Sequence, residues 1–84
     1  MITVKLFGLL RLDSGIKELR LQADSLKELC PLVAAEIKKA RPDTQITENL
    51  IRNGIAAVNG RQVRPNAKLN DGDEVTFLSP VAGG

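Results

Sequence analysis

Apolar and polar residues alternate from the start of the chain. Ile2, Val4 and Leu6 fall on one face and Thr3, Lys5 and Phe7 on the other, the period-two pattern of a half-buried strand. Gly8 to Gly15 breaks that period, and Asp13-Ser14-Gly15 carries turn chemistry, so the chain is expected to turn there. A second short strand is predicted over about Lys17 to Leu21, with Leu19 and Leu21 inward, pairing antiparallel with the first as a hairpin.

The period then changes. Leu26, Leu29, Cys30, Val33, Ile37 and Ala40 recur at three- and four-residue steps and make one apolar stripe along a helix. Ser25 and Glu28 have capping-box spacing at its start, and Arg41-Pro42-Asp43 ends it. Pro31 removes a hydrogen bond and is expected to kink the helix or delay its regular part, but the stripe continues across it, which predicts one helix. Between Asp43 and Gly54 the pattern is weak, and Leu50-Ile51 fits either a helical turn or the lead into a strand. Ile55 to Val58 is a strand of mostly small side chains. Asn59-Gly60 is a strong hairpin dipeptide, and Arg61-Gln62-Val63 returns from it. Asn70 to Asp73 is a further turn, and Glu74 to Leu78 is the last strand, with Val75 and Phe77 on the core face. The order strand, strand, helix, strand, strand, strand predicts one small mixed α+β sheet with a helix across one face.

After Leu78 the character changes again. Pro80 has no amide to donate and biases Ser79 to an extended shape, so sheet pairing is expected to stop near Ser79. Val81-Ala82-Gly83-Gly84 is then a narrow thread of backbone ending in a carboxylate. It is thin enough to enter a channel that would refuse larger residues.

Composition removes several function classes. The 84 residues allow one domain, residues 1–84, with a flexible tail at 79–84. Twelve basic against ten acidic residues, with only Phe7 and Phe77 aromatic, make no case for nucleic acid. There is no histidine, the commonest general base and metal ligand. The single cysteine, Cys30, lies on the apolar stripe with no histidine to activate it, so it reads as core rather than nucleophile. Asp71 and Asp73, around Gly72, read as turn residues rather than a metal pair. Cysteine usage suits a reducing, cytoplasmic compartment, and neither a signal peptide nor an apolar run of membrane-spanning length is expected. Phe7 and Leu78 point away from the helix-covered face by alternation, which makes them candidates for contact with a partner.

Lys5-Leu6-Phe7 with Leu10-Arg11, Ala57-Val58-Asn59-Gly60, Leu69-Asn70-Asp71-Gly72-Asp73-Glu74-Val75 and the closing Pro80-Val81-Ala82-Gly83-Gly84 together resemble the small subunit of molybdopterin synthase. The resemblance spans nearly the whole chain and is most specific in the final sixteen residues. It implies a ubiquitin-like β-grasp fold and a sulfur carrier that is not catalytic in isolation, with no tightly bound cofactor. In that family a ubiquitin-activating-type adenylyltransferase uses ATP and magnesium to join the terminal glycine, here Gly84, to AMP. A persulfide donor then converts it to a thiocarboxylate. The tail, here Pro80, Val81, Ala82 and Gly83, threads into the large synthase subunit, where two sulfurs convert cyclic pyranopterin monophosphate to the molybdopterin dithiolene. The same resemblance implies partner packing for Phe7, Arg11, Phe77, Leu78 and Val81, although alternation places Phe77 in the core. Three alternatives share the fold: a sulfur carrier for the thiazole of thiamine, a ubiquitin-like protein modifier joined through Gly84 to lysines, and a binding module with an inert tail.

Overall fold

The computed structural model describes residues 1–64 and 66–78. Strand β1 (Ile2–Phe7) buries Ile2, Val4 and Leu6 and leaves Thr3, Lys5 and Phe7 on the opposite face, as alternation dictates. It pairs antiparallel with β2 (Glu18–Leu21), in register Ile2 with Leu21 and Lys5 with Glu18. The segment between them, expected to be a turn, is a short helix, α1 (Leu9–Ser14). Gly8, at φ 64°, breaks the strand, and Gly15, at φ 74°, ends the helix by donating its N–H to the Arg11 carbonyl at 2.8 Å. Leu10 is buried, and Ser14 Oγ donates to its carbonyl oxygen at 2.5 Å. Six residues are too few for helical periodicity to register, and burial of Leu10 against the sheet stabilises the turn of helix.

Helix α2 (Leu26–Ala40) buries Leu26, Leu29, Cys30, Val33 and Ile37. Ala40, the last residue of the expected stripe, is exposed where the helix ends. Ser25 Oγ accepts from the Glu28 N–H at 3.2 Å, while Glu28 Oε2 accepts from the Asp24 N–H at 3.1 Å. The reciprocal bond thus reaches one residue further out than in the usual capping box. The Leu26 N–H donates to Ala67 O and the Leu69 N–H to Asp24 O, both at 2.9 Å, which ties the helix start to the 67–69 segment. Pro31 lies within the continuous helix, and Arg41 leaves helical angles (φ −135°, ψ 87°), as a residue before proline is driven to do. The open choice at Leu50-Ile51 resolves as a helical turn, α3 (Glu48–Asn53). Thr47 caps it by accepting from the Leu50 N–H at 3.2 Å, and buried Ile51 anchors it.

Strands β3 (Ile55–Val58) and β4 (Arg61–Gln62) form the Asn59-Gly60 hairpin, with both turn residues at positive φ (51° and 85°). Strand β5 (Glu74–Leu78) runs parallel to β1 and antiparallel to β3, giving a five-stranded sheet in the order β2-β1-β5-β3-β4. The buried faces of β1 and β5 join Ala56 and the α2 stripe in one apolar core. This is the α+β, β-grasp arrangement: a mixed sheet with the long helix across one face. The parallel pairing places the end of β5 beside the end of β1.

The hairpin is clamped to the turn before β5. Asn59 Nδ2 donates to Asp73 Oδ1 at 3.0 Å, Asn59 Oδ1 accepts from the Glu74 N–H at 2.9 Å, and Asp73 Oδ2 accepts from the Asn70 N–H at 2.8 Å. The backbone N–H of Asn70 and the amide of Asn59 hold the Asp73 carboxyl below its ordinary value of 3.8. A carboxylate depressed by folding stabilises the fold above its unfolded pKa and loses that contribution as pH falls through the folded value. Thermal melting of Asp73→Asn is therefore expected below that of wild type by a constant gap from neutral pH to about pH 5. The gap closes below pH 3.8. A gap that persists unchanged in acid would remove the charge from this account.

Candidate functional site

Away from one end, most residues on the open face of the sheet are polar. Lys5 and Glu74, on neighbouring strands, approach to 3.6 Å, and Thr76, Ala57 and Gln62 continue the face across β5, β3 and β4. Such a half-exposed ion pair contributes about 0–1 kcal/mol. At one end of the face the character switches. Phe7 pairs with Leu78, and Leu78 pairs with Ile55, so three large apolar side chains stand in one row across β1, β5 and β3. They are 41%, 39% and 46% exposed. The three form a contiguous exposed apolar patch, unlike singly scattered apolar residues, which need no explanation. Helix α1 follows Phe7 directly and adds exposed Leu9, Leu12 and Arg11 at the same end of β1.

The row sits at the root of the C-terminal segment, because Leu78 is both its middle member and the last residue of β5. Ser79, Pro80, Val81, Ala82, Gly83 and Gly84, including the expected flexible tail, lie outside the described residues.

Phe7 and Leu78 occupy the face that alternation assigned them, and Arg11 is exposed on α1. Phe77, named with them as a partner-surface residue by resemblance, is corrected: it is 1% exposed and lies in the core opposite Ala56. The pleat forces this result, since its neighbours Thr76 and Leu78 face outward. Sequence reasoning missed Ile55. It belongs to the site only because β3 pairs with β5 in the register that sets it opposite Leu78, and no local signal carries that register.

The described residues hold no group of three or more histidine, cysteine or acidic side chains placed to bind a metal. Cys30 is buried. Burial pushes its thiol up, the nearby Arg52 charge pulls the other way, and Glu48 adds to the rise. A buried, protonated thiol is a poor nucleophile and packs as a small apolar group. Asp71 lies beside the amino group of Met1, and Asp73 serves the turn. Among the described residues no helix is long and apolar enough to cross a membrane. What the geometry offers is an exposed apolar row at the end of β5, the last described element.

A model of the ThiS family matches residues 4–84. Among curated proteins there is no match. Among solved structures, a chain in the complex of subunits 1 and 2 of molybdopterin-converting factor from Helicobacter pylori aligns over 99% of this chain and 97% of its own, at 25% identity and a TM-score of 0.60. Urm1 from Trypanosoma brucei aligns over 99% and 94%, at 31% identity and 0.66. The small archaeal modifier protein 1 of Methanosarcina acetivorans aligns over 99% and 95%, at 26% identity and 0.65.

Proposed function

Because the chain belongs to the ThiS family of ubiquitin-like sulfur carriers, we propose that it is the sulfur-donating small subunit of a molybdopterin synthase, acting through the carboxylate of Gly84. The observation that carries this reading is the Phe7–Leu78–Ile55 row at the root of the Pro80-Val81-Ala82-Gly83-Gly84 thread. A partner that grips the row receives the thread beside it. The two-subunit molybdopterin-converting factor of Helicobacter pylori supports a large-subunit partner.

The chemistry follows from the reacting group. A carboxylate is a poor electrophile, because oxide would have to leave. A separate activating enzyme joins the Gly84 carboxylate oxygen to the α-phosphorus of magnesium-bound ATP and releases pyrophosphate. The terminal sulfur of a persulfide attacks the acyl carbon and AMP leaves. A thiol then cleaves the sulfur–sulfur bond, and the thiocarboxylate remains on Gly84. Its sulfur is nucleophilic, and two such transfers in the large subunit would complete the pterin dithiolene. This chain supplies the reacting group, and its partners supply the positioning.

The similarity to a small archaeal modifier protein favours a second reading, in which the activated Gly84 carbonyl is passed to a lysine amine of another protein. Both readings share the adenylate and diverge after it. The deciding measurement is the intact mass of the chain purified from its native cells without added thiol. The carrier reading expects a form with one oxygen replaced by sulfur. Free carboxylate alone, even after activating enzyme, ATP and a sulfur donor are supplied, overturns it, and an isopeptide-linked ladder would establish the modifier in its place.

A further inference from the structure

The order β2-β1-β5-β3-β4 leaves two edges to the sheet. Strand β4 offers only Arg61 and Gln62, whereas β2 offers Glu18 to Leu21, with no proline or glycine among them. Backbone alternation fixes which groups of β2 face outward. The Leu6 N–H donates to the Lys17 carbonyl at 3.1 Å, in the register that pairs Val4 with Leu19 and Ile2 with Leu21. Antiparallel pairs alternate between bonded and non-bonded, so Leu19 and Leu21 bond to β1, while the N–H and C=O groups of Glu18 and Arg20 point off the edge. Among the described residues these outward groups have no backbone partner. Such a row is a template for another strand.

The side chains select which strand. Glu18 and Arg20 are exposed on the open face, opposite Lys5 and Thr3. Lys5 approaches Glu74 at 3.6 Å, and among the described residues neither Glu18 nor Arg20 has an ion-pair partner. Edge charges of one sign hold copies of a chain apart, but here the signs differ at alternate residues. We propose that β2 is a self-association edge, on which a second copy of this chain lays its own β2 antiparallel across a two-fold axis. Bonding parity requires outward residues to face outward residues. Glu18 opposite Glu18, or Arg20 opposite Arg20, sets like charges face to face, which destabilises the pairing. Glu18 opposite Arg20 makes two complementary pairs at once, each exchanging both backbone hydrogen bonds. This register centres on Leu19, which is half-buried at the sheet edge and meets Leu19 of the second copy on the helix-covered face. The axis runs perpendicular to the sheet there, so both Phe7–Leu78–Ile55 rows lie on one side of the continuous sheet and stay uncovered. The dimer does not depend on the carrier role proposed above. So short an edge buries well under the roughly 1,200 Å² of a stable interface, so association belongs to high chain concentration.

The test is sedimentation equilibrium of the full chain up to about 2 mM, a range that reads millimolar dissociation constants. Wild type is expected to dimerise reversibly. Glu18→Arg alone and Arg20→Glu alone each turn both cross-copy pairs into like charges, and each should weaken dimerisation at least about tenfold. Mixed in equal amounts, the two variants are complementary at both pairs, and association should return to within about threefold of wild type. Thermal melts of both should stay within about 4 °C of wild type, since the altered side chains are exposed. In wild type, amide exchange at Glu18 and Arg20 should slow as concentration rises, while Leu19, already bonded to β1, stays unchanged. A monomer at about 2 mM, single variants that associate as wild type does, or a mixture that fails to associate overturns the proposal. Slowing at Glu18 and Arg20 only when a different protein is added would overturn it too, by giving the edge to a strand of another chain.

Discussion

Deleting Gly84 is expected to lower thiocarboxylate formation at least about a hundredfold and to leave the domain folded. The deletion does not remove a carboxylate; it moves one back onto Gly83. Adenylation chemistry therefore remains available to the shortened chain, and the expected loss comes from reach. One residue fewer shortens an extended thread by about 3.5 Å. Displacements of about 1 Å already cost up to about a hundredfold, so sulfur incorporation should fall by at least that factor. Stability is expected to hold, because the buried apolar residues of the described chain run from Ile2 to Phe77. Changes away from packed features stay within about 0.5 kcal/mol, which keeps Tm within about 4 °C of wild type. Intact mass after incubation with activating enzyme, ATP and sulfur donor, alongside a thermal melt, reads both quantities. Sulfur incorporation at the wild-type rate would show that the terminal residue is not the carrier position. A collapsed melt would show that the tail holds the fold together.

The second large effect separates two adjacent residues. Leu78→Asp places a charge in the middle of the exposed row, between Phe7 and Ile55. An anchor lost from the centre of a contact surface typically costs 2 kcal/mol or more, so binding to the large subunit or the activating enzyme should weaken at least about thirtyfold. The fold loses only about 1 kcal/mol of strand preference. Phe77→Ala should do the reverse. Phe77 is among the largest fully buried side chains, and truncating a buried phenylalanine costs about 3–5 kcal/mol. A domain of this size holds about 4–13 kcal/mol in total, so the variant loses a large part of its stability, while molecules that remain folded keep their row. Calorimetry for stability and titration for binding should give opposite rankings for the two variants. Tight binding by Leu78→Asp would remove the row from the interface, and a wild-type melt for Phe77→Ala would contradict its place in the core.

Local patterns in the sequence determined most of the elements. The alternation of Ile2, Val4 and Leu6, the stripe from Leu26 to Ile37 with its Ser25 cap, the Asn59-Gly60 hairpin and the inward Val75 and Phe77 all depend on neighbours within a few residues, where side-chain period and turn chemistry act directly. The expected tail, from Ser79 to Gly84, lies outside the described residues. Helix α1 escaped because one and a half turns carry no measurable period, and its stability comes from Leu10 packing against other parts of the chain. The Leu50-Ile51 segment stayed open for the same reason until Thr47 was seen to cap it. Only the tertiary structure decided that β5 lies parallel to β1 and between β1 and β3. That single arrangement assembles Phe7, Leu78 and Ile55 into a row and brings the Leu78 carbonyl against Gly54. Each of these is a contact between residues distant in sequence, set by the register of paired strands, and a strand's own alternation specifies two faces without specifying which neighbour it will meet.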